Sequence, residues 1–330
     1  MRAIVISEFG GPDVFHEIEV PRPEPGPGEV LIRVAASSVN PVDYKVRDGR
    51  AAGLCPNFPA ILHADCAGTV EAVGGSVDGF VPGDEVYCFA TGIGGKPGAL
   101  AEFMAADARM VAHKPESLSF EAAAALPLVT ITAWFCLFDR VSLKPGDTLL
   151  VQGGTGGVGH IAVQLAASHG AKVYATAGNP EKCRLATKLG ATKAYDYTTT
   201  AVADYVADAT GGVGFDYVFN TPGQPSVDAS VLAARDLGTI IDILGHFPEQ
   251  PGFQGKWLGF VSVFAGRPLV SDDRVDDVGR ILREAAALVA AGKLKPVIDP
   301  RQFGFSEVGA AHDHAEHGKP TGKVALTADW

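Results

Sequence analysis

The sequence is poor in cysteine, in positive charge and in paired metal ligands. Its five cysteines among 330 residues form no C-x-x-C pair, which argues against a zinc lobe or a disulfide framework and favours a reducing compartment. The 27 Lys and Arg residues against 38 Asp and Glu residues give a net charge of −11, which argues against nucleic acid or an anionic membrane as a partner. We find neither a signal peptide nor an apolar run of the roughly 18 to 20 residues that would span a bilayer. These absences predict a cytoplasmic protein.

The composition is that of a globular protein, with 47% hydrophobic and 20% charged residues and enough length for two domains. The first third shows short β segments between Gly/Pro turns, for example at 3–7, 30–37 and 66–73. An alanine-rich helical stretch begins near Phe120, and strands then alternate with helices. A later amphipathic helix is predicted to have Ser271 as its N-cap and to end before Gly292. The pattern predicts an α/β protein with a β-rich first domain.

The stretch "TLLVQGGTGGVGHIAVQLAASHGAKVYATAG" carries the clearest motif. An apolar strand runs into Gly154-x-Gly156-x-x-Gly159, and an amphipathic helix and a second strand follow. The first glycine permits the tight turn, the second permits close approach of a pyrophosphate, and the third permits close packing of the helix on the sheet. Strand, loop, helix and strand occur in the order that dinucleotide binding requires, so we predict a dinucleotide site here.

The tip of the second strand indicates which dinucleotide is bound. A carboxylate at this position would bind the ribose hydroxyls of NAD and repel a 2′-phosphate, but the strand ends Ala177-Gly178-Asn179. Lys182 and Arg184 follow in the next turn. We therefore predict NADPH as the cofactor. The alternative is that these two cations are only surface charges on a helix.

Several further motifs carry a resemblance to a known family: "SVNPVDYKVRDG", "AGTVEAVGGSVDGFVPGDEVY", "GALAEF", "GGTGGVG" and "GKPTGKVALT". With them the chain resembles the medium-chain dehydrogenase/reductase superfamily, and within it the zinc-free, zeta-crystallin-like quinone oxidoreductase branch. The resemblance implies a GroES-like β-rich catalytic domain at 1–123 and 266–330. It also implies a Rossmann domain with a doubly wound parallel sheet at 124–265, and an active site in the cleft between the two domains.

The same resemblance implies the roles of individual residues. Asn40 would lie near the nicotinamide, and Asn40, Tyr44 and Lys45 are the candidate catalytic donors. The residues implied to bind the cofactor are Thr132, Gly153, Gly154, Thr155, Gly156, Gly157, Val158, Gly159, Gly178, Lys182, Tyr197, Leu244, His246, Val263 and Lys323. Of these, the loop from Gly153 to Gly159 would hold the pyrophosphate, while Lys182 and Tyr197 would meet the 2′-phosphate.

The stretch "AILHADCAGTVEAVG" raises the question of a metal site at His63. Zinc-dependent members of the superfamily have a Gly-His-Glu triplet before this strand, and in alignment Ala64 takes the place of the ligand histidine. His63 lies one residue away, so its side chain should point to the opposite face of the extended segment. Asn40 stands where the first cysteine ligand would be. Because a catalytic zinc needs three protein ligands, we predict no metal and interpret His63 as a histidine at the cleft edge or in the packing.

We interpret four other histidines as surface residues. The segment "AHDHAEHGKP", with His312, His314 and His317, is interpreted as a solvated helix surface, although clustered imidazoles can bind adventitious metal. His160, at the start of the glycine-loop helix, is expected to face solvent or a phosphate.

Without zinc, the expected chemistry is hydride transfer by positioning, to a quinone or to an α,β-unsaturated carbonyl. The anion formed would be stabilised by hydroxyl or amide donors. The alternatives are an enoyl-thioester reductase of the same superfamily and a protein that binds NADPH with little turnover. By analogy with the family, we also expect a homodimer that pairs through an edge strand near 260–264.

Overall fold

The computed structural model describes residues 1–249, 252–271 and 273–330, apart from the side chain of Pro225. The chain forms two compact units. The first comprises Met1–Leu128, Gly266–Gly292 and Pro296–Trp330, and the second comprises Val129–Ala265 and Lys293–Lys295. We refer to them as unit 1 and unit 2.

The elements are numbered along the chain. The strands are β1 (Arg2–Ile6), β2 (Phe15–Glu19), β3 (Glu29–Ser38), β4 (Asp65–Val73), β5 (Glu85–Phe89), β6 (Phe103–Asp107), β7 (Val111–His113), β8 (Thr148–Gln152), β9 (Lys172–Ala177), β10 (Lys193–Asp196), β11 (Phe215–Asn220), β12 (Ala234–Asp242), β13 (Gly259–Ser262), β14 (Phe303–Gly304) and β15 (Ala325–Thr327). The helices are α1 (Pro41–Arg47), α2 (Phe120–Ala124), α3 (Pro127–Trp134), α4 (Gly157–Ser168), α5 (Pro180–Lys188), α6 (Val202–Thr210), α7 (Gln224–Ala233), α8 (Gly252–Gly255), α9 (Arg267–Val270), α10 (Val275–Ala290) and α11 (Val308–His317). Short 3₁₀ turns occur at Pro12–Val14, Ala52–Leu54, Ala108–Met110 and Phe305–Glu307.

Unit 1 is built on a mainly antiparallel sheet with the order β14-β15-β3-β4-β5-β7, in which β6 also pairs with β3. Strand β3 is long and mostly buried because it pairs with β4, β6 and β15. The register places Ser37 of β3 opposite Cys66 of β4, and Cys66 opposite Cys88 of β5. Both cysteines are fully buried, as expected of small core residues.

Unit 2 contains a parallel sheet with the order β10-β9-β8-β11-β12-β13. Its core packs apolar side chains from the central strands, among them Leu150, Phe215, Val218 and Ile240. The strand order reverses between β8 and β11, so the carboxyl ends of these strands form the topological switch point at which dinucleotides bind in open α/β sheets. The α/β organisation expected from the sequence is confirmed.

The helix predicted to start at Ser271 begins later. Helix α10 starts at Val275, after Arg274 with a φ of +65°, and Gly292 follows its end with a φ of +68°. The Ser271 hydroxyl instead donates to the carbonyl of Arg267 and so belongs to the end of α9. The predicted N-cap was therefore wrong, whereas the predicted glycine stop is confirmed.

The segment Phe120–Arg140 corrects the expectation about apolar runs. It contains α2, α3 and a final π-helical turn, and by length and composition its 21 residues could cross a membrane. However, 72% of its most apolar window is buried inside the protein. The core helix of a globular protein meets the same length and composition criteria, so this is weak evidence for a membrane span.

Candidate active site

The glycine loop follows β8 and fits a close approach of backbone groups. Gly153 has a φ of +71°, and a Cβ atom on Gly159 would lie 2.1 Å from the Gly153 carbonyl oxygen. A Cβ atom on Gly154 would lie 2.6 Å from the Cβ of Ala175 in β9. Larger residues cannot occupy these positions without displacing backbone or a neighbouring strand, so the glycines are needed for the shape of the loop.

Helix α4 begins directly after this loop, and its N-cap, Gly156, makes no side-chain hydrogen bond to the first turn. The unpaired N–H groups and the positive end of the helix dipole form an anion site. Gly157 and Val158 are partly exposed, whereas Thr155 is buried. Together, the loop and the helix terminus fit the pyrophosphate of a dinucleotide.

His160, in the first turn of α4, is fully buried, and its Nδ1 lies 2.9 Å from the carbonyl oxygen of Gly156. The expectation that it faces solvent or a phosphate was wrong. Most of α4 from Gly159 to Ala166 is buried, and His160 belongs to this buried stretch.

The tip of β9 carries no carboxylate, as the sequence indicated. A Cβ atom on Gly178 would lie 3.0 Å from the Tyr197 hydroxyl oxygen, so the phenol lies beside the strand tip. The Asn179 side chain caps α5 by accepting from the backbone N–H of Lys182 at 2.8 Å. Lys182 therefore lies in the first turn of α5, partly exposed, and the structure brings it to the same end of the sheet as Tyr197.

The ends of β11 and β12 carry two buried polar residues that the sequence patterns did not single out. Asp242 ends β12, and its Oδ1 accepts from the backbone N–H groups of Leu244, Gly245 and His246 at 2.9, 2.6 and 3.0 Å. Asn220 ends β11 and donates from Nδ2 to the other oxygen of Asp242 at 2.9 Å. The N–H groups of the predicted contact residues Leu244 and His246 are therefore engaged within the protein.

The remaining predicted contacts in unit 2 lie apart from these loops along the chain. Val263 follows β13, is partly exposed and donates its N–H to the carbonyl of Asp242 at 3.3 Å. Thr132 lies in α3 and is 4% exposed.

Unit 1 contains a buried polar cluster, which we call the Lys323 cluster and define as Asn40, Asp43, Asp65 and Lys323. The ammonium group of Lys323 donates to the carbonyl of Val39 at 2.7 Å and to Oδ1 of Asn40 at 2.5 Å, and it lies 3.5 Å from Oδ2 of Asp65. Asn40 donates from Nδ2 to Oδ2 of Asp65 at 2.8 Å. Both functional ends of the Asn40 amide are thus held, and its orientation is fixed.

Burial dominates the electrostatics of the Lys323 cluster. Desolvation raises the pKa of Asp43 from 3.8 to about 7, and Asp65 adds to this effect while Lys323 opposes it. Desolvation also lowers the pKa of Lys323, while Asp65 and Asp43 oppose that change. Asp43 accepts from the backbone N–H of Asn40 at 2.7 Å and so closes the first turn of α1. The cluster anchors the helix that carries Tyr44 and Lys45.

Tyr44 and Lys45 are partly exposed on α1, unlike Asn40, which is 1% exposed. Burial, with a smaller contribution from Glu316, raises the pKa of Tyr44 to about 12. The phenol is consequently protonated at neutral pH and can donate a hydrogen bond. The guanidinium group of Arg50 lies 5.7 Å from the centre of its ring.

His63 is fully buried and pairs with His312, their Nε2 atoms 2.8 Å apart. The Ser37 hydroxyl donates to the carbonyl of Asp65, so the 3.0 Å contact between Ser37 and Nδ1 of His63 requires the proton on that nitrogen. Nε2 of His63 then accepts from His312. Burial lowers the pKa of His63 to about 3 and that of His312 well below its ordinary value, so both rings are neutral. His63 is a packing residue.

The interpretation of the C-terminal histidines as a solvated surface was wrong for two of the three. His312 is fully buried against His63, and His314 is largely covered, with Nε2 3.0 Å from Oδ1 of Asp299. His317 alone of the three is exposed, beside Asp313. The sequence of this segment does not show that α11 turns the face carrying His312 toward the core.

Comparison with known proteins decides the family. The alcohol dehydrogenase GroES-like domain model matches residues 26–116, and the zinc-binding dehydrogenase model matches residues 157–252. The chain is 34% identical over 333 residues to 2-methylene-furan-3-one reductase of Solanum lycopersicum, covering 99% of this chain and 79% of that protein. It is 37% identical over 334 residues to quinone oxidoreductase of Rattus norvegicus, covering 99% and 97%. The chain belongs to the medium-chain dehydrogenase/reductase superfamily, in its quinone oxidoreductase branch.

Other members of the superfamily agree. NADPH-dependent alkenal/one oxidoreductase of Arabidopsis thaliana is 34% identical over 99% of this chain and 79% of its own length. An alcohol dehydrogenase superfamily protein from Novosphingobium aromaticivorans has a TM-score of 0.94 at 40% identity, covering all of both chains. Mycobacterial Rv1454c complexed with NADPH has a TM-score of 0.84 at 29% identity, covering 99% of each. The predicted GroES-like and Rossmann architecture is confirmed.

Within this superfamily, the positions of zinc ligands carry other residues here. Asn40 and Ala64 offer neither a thiolate nor an imidazole, and the amide of Asn40 is engaged in the Lys323 cluster. In the part of the chain that the structure describes, no group of three or more His, Cys, Asp and Glu side chains is arranged to hold a metal ion. The residues present therefore do not fit a catalytic zinc.

Proposed function

We propose that this protein is a zinc-independent oxidoreductase that uses NADPH to reduce a quinone or an α,β-unsaturated carbonyl compound. The observation that carries the proposal is the glycine loop and bare helix terminus of unit 2, next to a β9 tip without a carboxylate, in a chain of this superfamily. The names of the relatives, which include an alkenal/one oxidoreductase and quinone oxidoreductases, support the substrate class. A cytoplasmic location stays a prediction.

Different residues of unit 2 would bind different parts of the cofactor. The loop from Gly153 to Gly159 and the first turn of α4 would bind the pyrophosphate, while Lys182 and Tyr197 would bind the 2′-phosphate at the tip of β9. When bound, NADPH supplies the hydride. The protein contributes binding and orientation.

Reduction of a quinone or enone places negative charge on the substrate oxygen, and a donor beside that oxygen stabilises it. Tyr44 suits this role because its hydroxyl is protonated at neutral pH and its side chain is partly exposed. Lys45, its neighbour, is a second candidate. Asn40, with its amide held by Asp65 and Lys323, is better suited to positioning α1 than to donating to substrate.

The proposal is tested by mixing the purified protein with NADPH and a panel of quinones, alkenals, enones and enoyl thioesters, and following the loss of NADPH absorbance. We expect turnover with quinones or enones. Turnover confined to enoyl thioesters would replace the proposed substrate class, and NADPH binding without turnover on any compound would leave only a binding protein.

The residues at the zinc-ligand positions predict that the protein contains no zinc. Because Asn40 and Ala64 replace zinc ligands, we expect the active protein to contain no stoichiometric zinc and to keep its activity in the presence of a chelator. Elemental analysis of the purified protein measures this. About one tightly held zinc per chain, together with activity lost to chelation, would contradict it.

The edge of the unit 2 sheet predicts a homodimer. Strand β13 is an edge strand, and Trp257 and Phe264 beside it are 79% and 50% exposed. In the described residues no further strand pairs with this edge, and an edge flanked by apolar side chains is suited to pairing with a second copy. We expect a dimer by light scattering, weakened by Phe264→Lys and unaffected by Phe9→Lys, which alters an exposed phenylalanine of unit 1. A wild-type monomer over a wide concentration range would refute the dimer.

A further inference from the structure

Asp242 is a fully buried carboxylate at the carboxyl end of β12, and neither the glycine motif nor the resemblance assigns it a role. Its Oδ1 accepts three consecutive backbone N–H groups, those of Leu244, Gly245 and His246. One oxygen atom therefore determines the backbone path of the loop at 243–246. Charge-assisted hydrogen bonds of this kind are stronger than those between neutral groups.

The second oxygen of Asp242 ties this loop to the loop after β11. It accepts from Nδ2 of Asn220, whose Oδ1 in turn accepts from the N–H of Gly223 at 3.1 Å and the hydroxyl of Ser226 at 2.7 Å. Asn220 also donates from Nδ2 to the carbonyl of Gly223 at 3.0 Å. The partners of the Asn220 amide oxygen are donors and those of its nitrogen are acceptors, so the amide of Asn220 is held in one orientation.

The two loops pack closely. Gly223 has a φ of +83°, and a Cβ atom there would lie 2.7 Å from Cδ1 of Leu244 and 2.9 Å from Nδ1 of His246. A displacement of the loop at 243–246 would therefore be transmitted to the loop at 221–223.

The sheet order gives these loops a place in the cofactor site. The glycine loop follows β8, and the β9 tip proposed for the 2′-phosphate lies on one side of it. Strands β11 and β12 lie on the other side. With the pyrophosphate at the switch point and the adenosine ribose toward β9, the nicotinamide half extends toward the carboxyl ends of β11 and β12.

We propose that Asp242, acting through Asn220 and the loop at 243–246, is a positioning residue for the nicotinamide half of NADPH, an inference that rests on the proposed function. By engaging the N–H groups of Leu244, Gly245 and His246, Asp242 leaves the carbonyl oxygens as the backbone groups that these three residues offer. Carbonyl oxygens are the partners that the NH₂ group of a nicotinamide carboxamide requires.

The test is Asp242→Asn, which keeps the size and removes one acceptor. The amide introduced at position 242 has two possible orientations, and each creates a clash between donors. With its oxygen toward the loop, its NH₂ group faces the NH₂ group of Asn220; with its NH₂ group toward the loop, it faces the three backbone N–H groups. We expect the dissociation constant of NADPH, measured by fluorescence titration, to rise about tenfold. Binding of 2′-phospho-ADP-ribose, which lacks the nicotinamide, should be unchanged.

Two further variants separate positioning from stability. Asp216→Asn alters a carboxylate at the opposite end of the same sheet, where Asp216 accepts from the N–H and hydroxyl of Thr148 at 2.8 and 2.7 Å. It should cost stability without distinguishing the two ligands. In the exchange Asn220→Asp with Asp242→Asn, the amide at position 242 can donate to the carboxylate at position 220. This variant should recover part of the affinity for NADPH, and it can be compared with the wild type if Asp242→Asn folds poorly. Recovery is incomplete because the carboxylate at position 220 cannot donate to the carbonyl of Gly223, as Nδ2 of Asn220 does.

A comparison of NADPH binding with 2′-phospho-ADP-ribose binding separates the possible outcomes. Equal weakening of NADPH and 2′-phospho-ADP-ribose by Asp242→Asn, or no weakening of either, would overturn the positioning role while leaving the proposed function in place. A failure of the exchange variant to bind NADPH more tightly than Asp242→Asn would also overturn it. A wild-type protein that does not bind NADPH would overturn the positioning role and the proposed function together.

Discussion

Lys323→Met is expected to lower the free energy of unfolding by about 3 to 5 kcal/mol at pH 8, because it removes one partner from a buried set of charges. Lys323 is 3% exposed, and its ammonium group is bonded to Val39 and Asn40 and lies beside Asp65. Methionine fills similar space but leaves the carboxyl groups of Asp43 and Asp65 buried without this cation. Urea denaturation of wild type and variant measures the loss.

The loss should depend on pH in a definite direction. The pKa of Asp43 is about 7 in the folded protein, whereas the ordinary value of an aspartate, expected in the unfolded chain, is 3.8. The folded state therefore binds this proton more tightly than the unfolded state. Ionising Asp43 therefore destabilises the fold as the pH rises through this interval, and the penalty is complete above pH 7. Removing Lys323 raises that pKa further, so the loss caused by Lys323→Met should be smaller at pH 5 than at pH 8.

Two controls test the electrostatic explanation. Lys293→Met replaces an exposed lysine and should change stability by less than about 0.5 kcal/mol. Adding Asp43→Asn to Lys323→Met removes one of the two buried carboxylates that have lost their cation, and it should recover part of the stability at pH 8. If Lys323→Met costs the same at both pH values and the second substitution recovers nothing, lost packing rather than charge explains the effect.

The sequence predicted the features of unit 2 that depend on neighbouring residues. The turn after β8, the packing of α4 and the bare tip of β9 all follow from one continuous stretch between Thr148 and Lys182. Within it, a side chain on Gly154 or Gly159 would collide with a neighbouring strand or with the loop backbone. Local patterns also predicted 3–7, 30–37 and 66–73 to within a residue or so of the bounds of β1, β3 and β4, but they did not predict short strands such as β2 and β7. The start of α10 was misplaced because Ser271 has the chemistry of an N-cap but bonds backward to α9.

What the sequence did not show are contacts between distant residues. Lys323 reaches Asn40 across 283 positions, and His312 reaches His63 across 249. Neither pair has a spacing that a pattern could reveal. Asp242 and Asn220 did leave a signal, a single polar residue closing each apolar strand in "VFN" and "TIID". Such residues at the carboxyl ends of parallel strands face the ligand edge of a sheet, and they could have been selected on that ground.

Lys182→Ala is expected to weaken NADPH binding by about tenfold to a hundredfold and to leave NADH binding nearly unchanged. Lys182 lies in the first turn of α5, at the end of the sheet where Gly178 and Tyr197 meet. The absence of a carboxylate at the β9 tip removes a repulsion against the 2′-phosphate but gives no attraction. The attraction must come from donors, and a charge-assisted contact is worth about 1.5 to 3 kcal/mol, which corresponds to the expected loss.

The comparison should be made at low salt, where a partly exposed ion pair is screened least. Lys188→Ala is a suitable control, because Lys188 is an exposed lysine at the opposite end of the same helix and should affect neither cofactor. Equal losses for NADPH and NADH in Lys182→Ala would mean that Lys182 acts through folding or pyrophosphate binding. A wild-type protein that prefers NADH would overturn the interpretation of the β9 tip, because the missing carboxylate would then have no bearing on which cofactor is chosen.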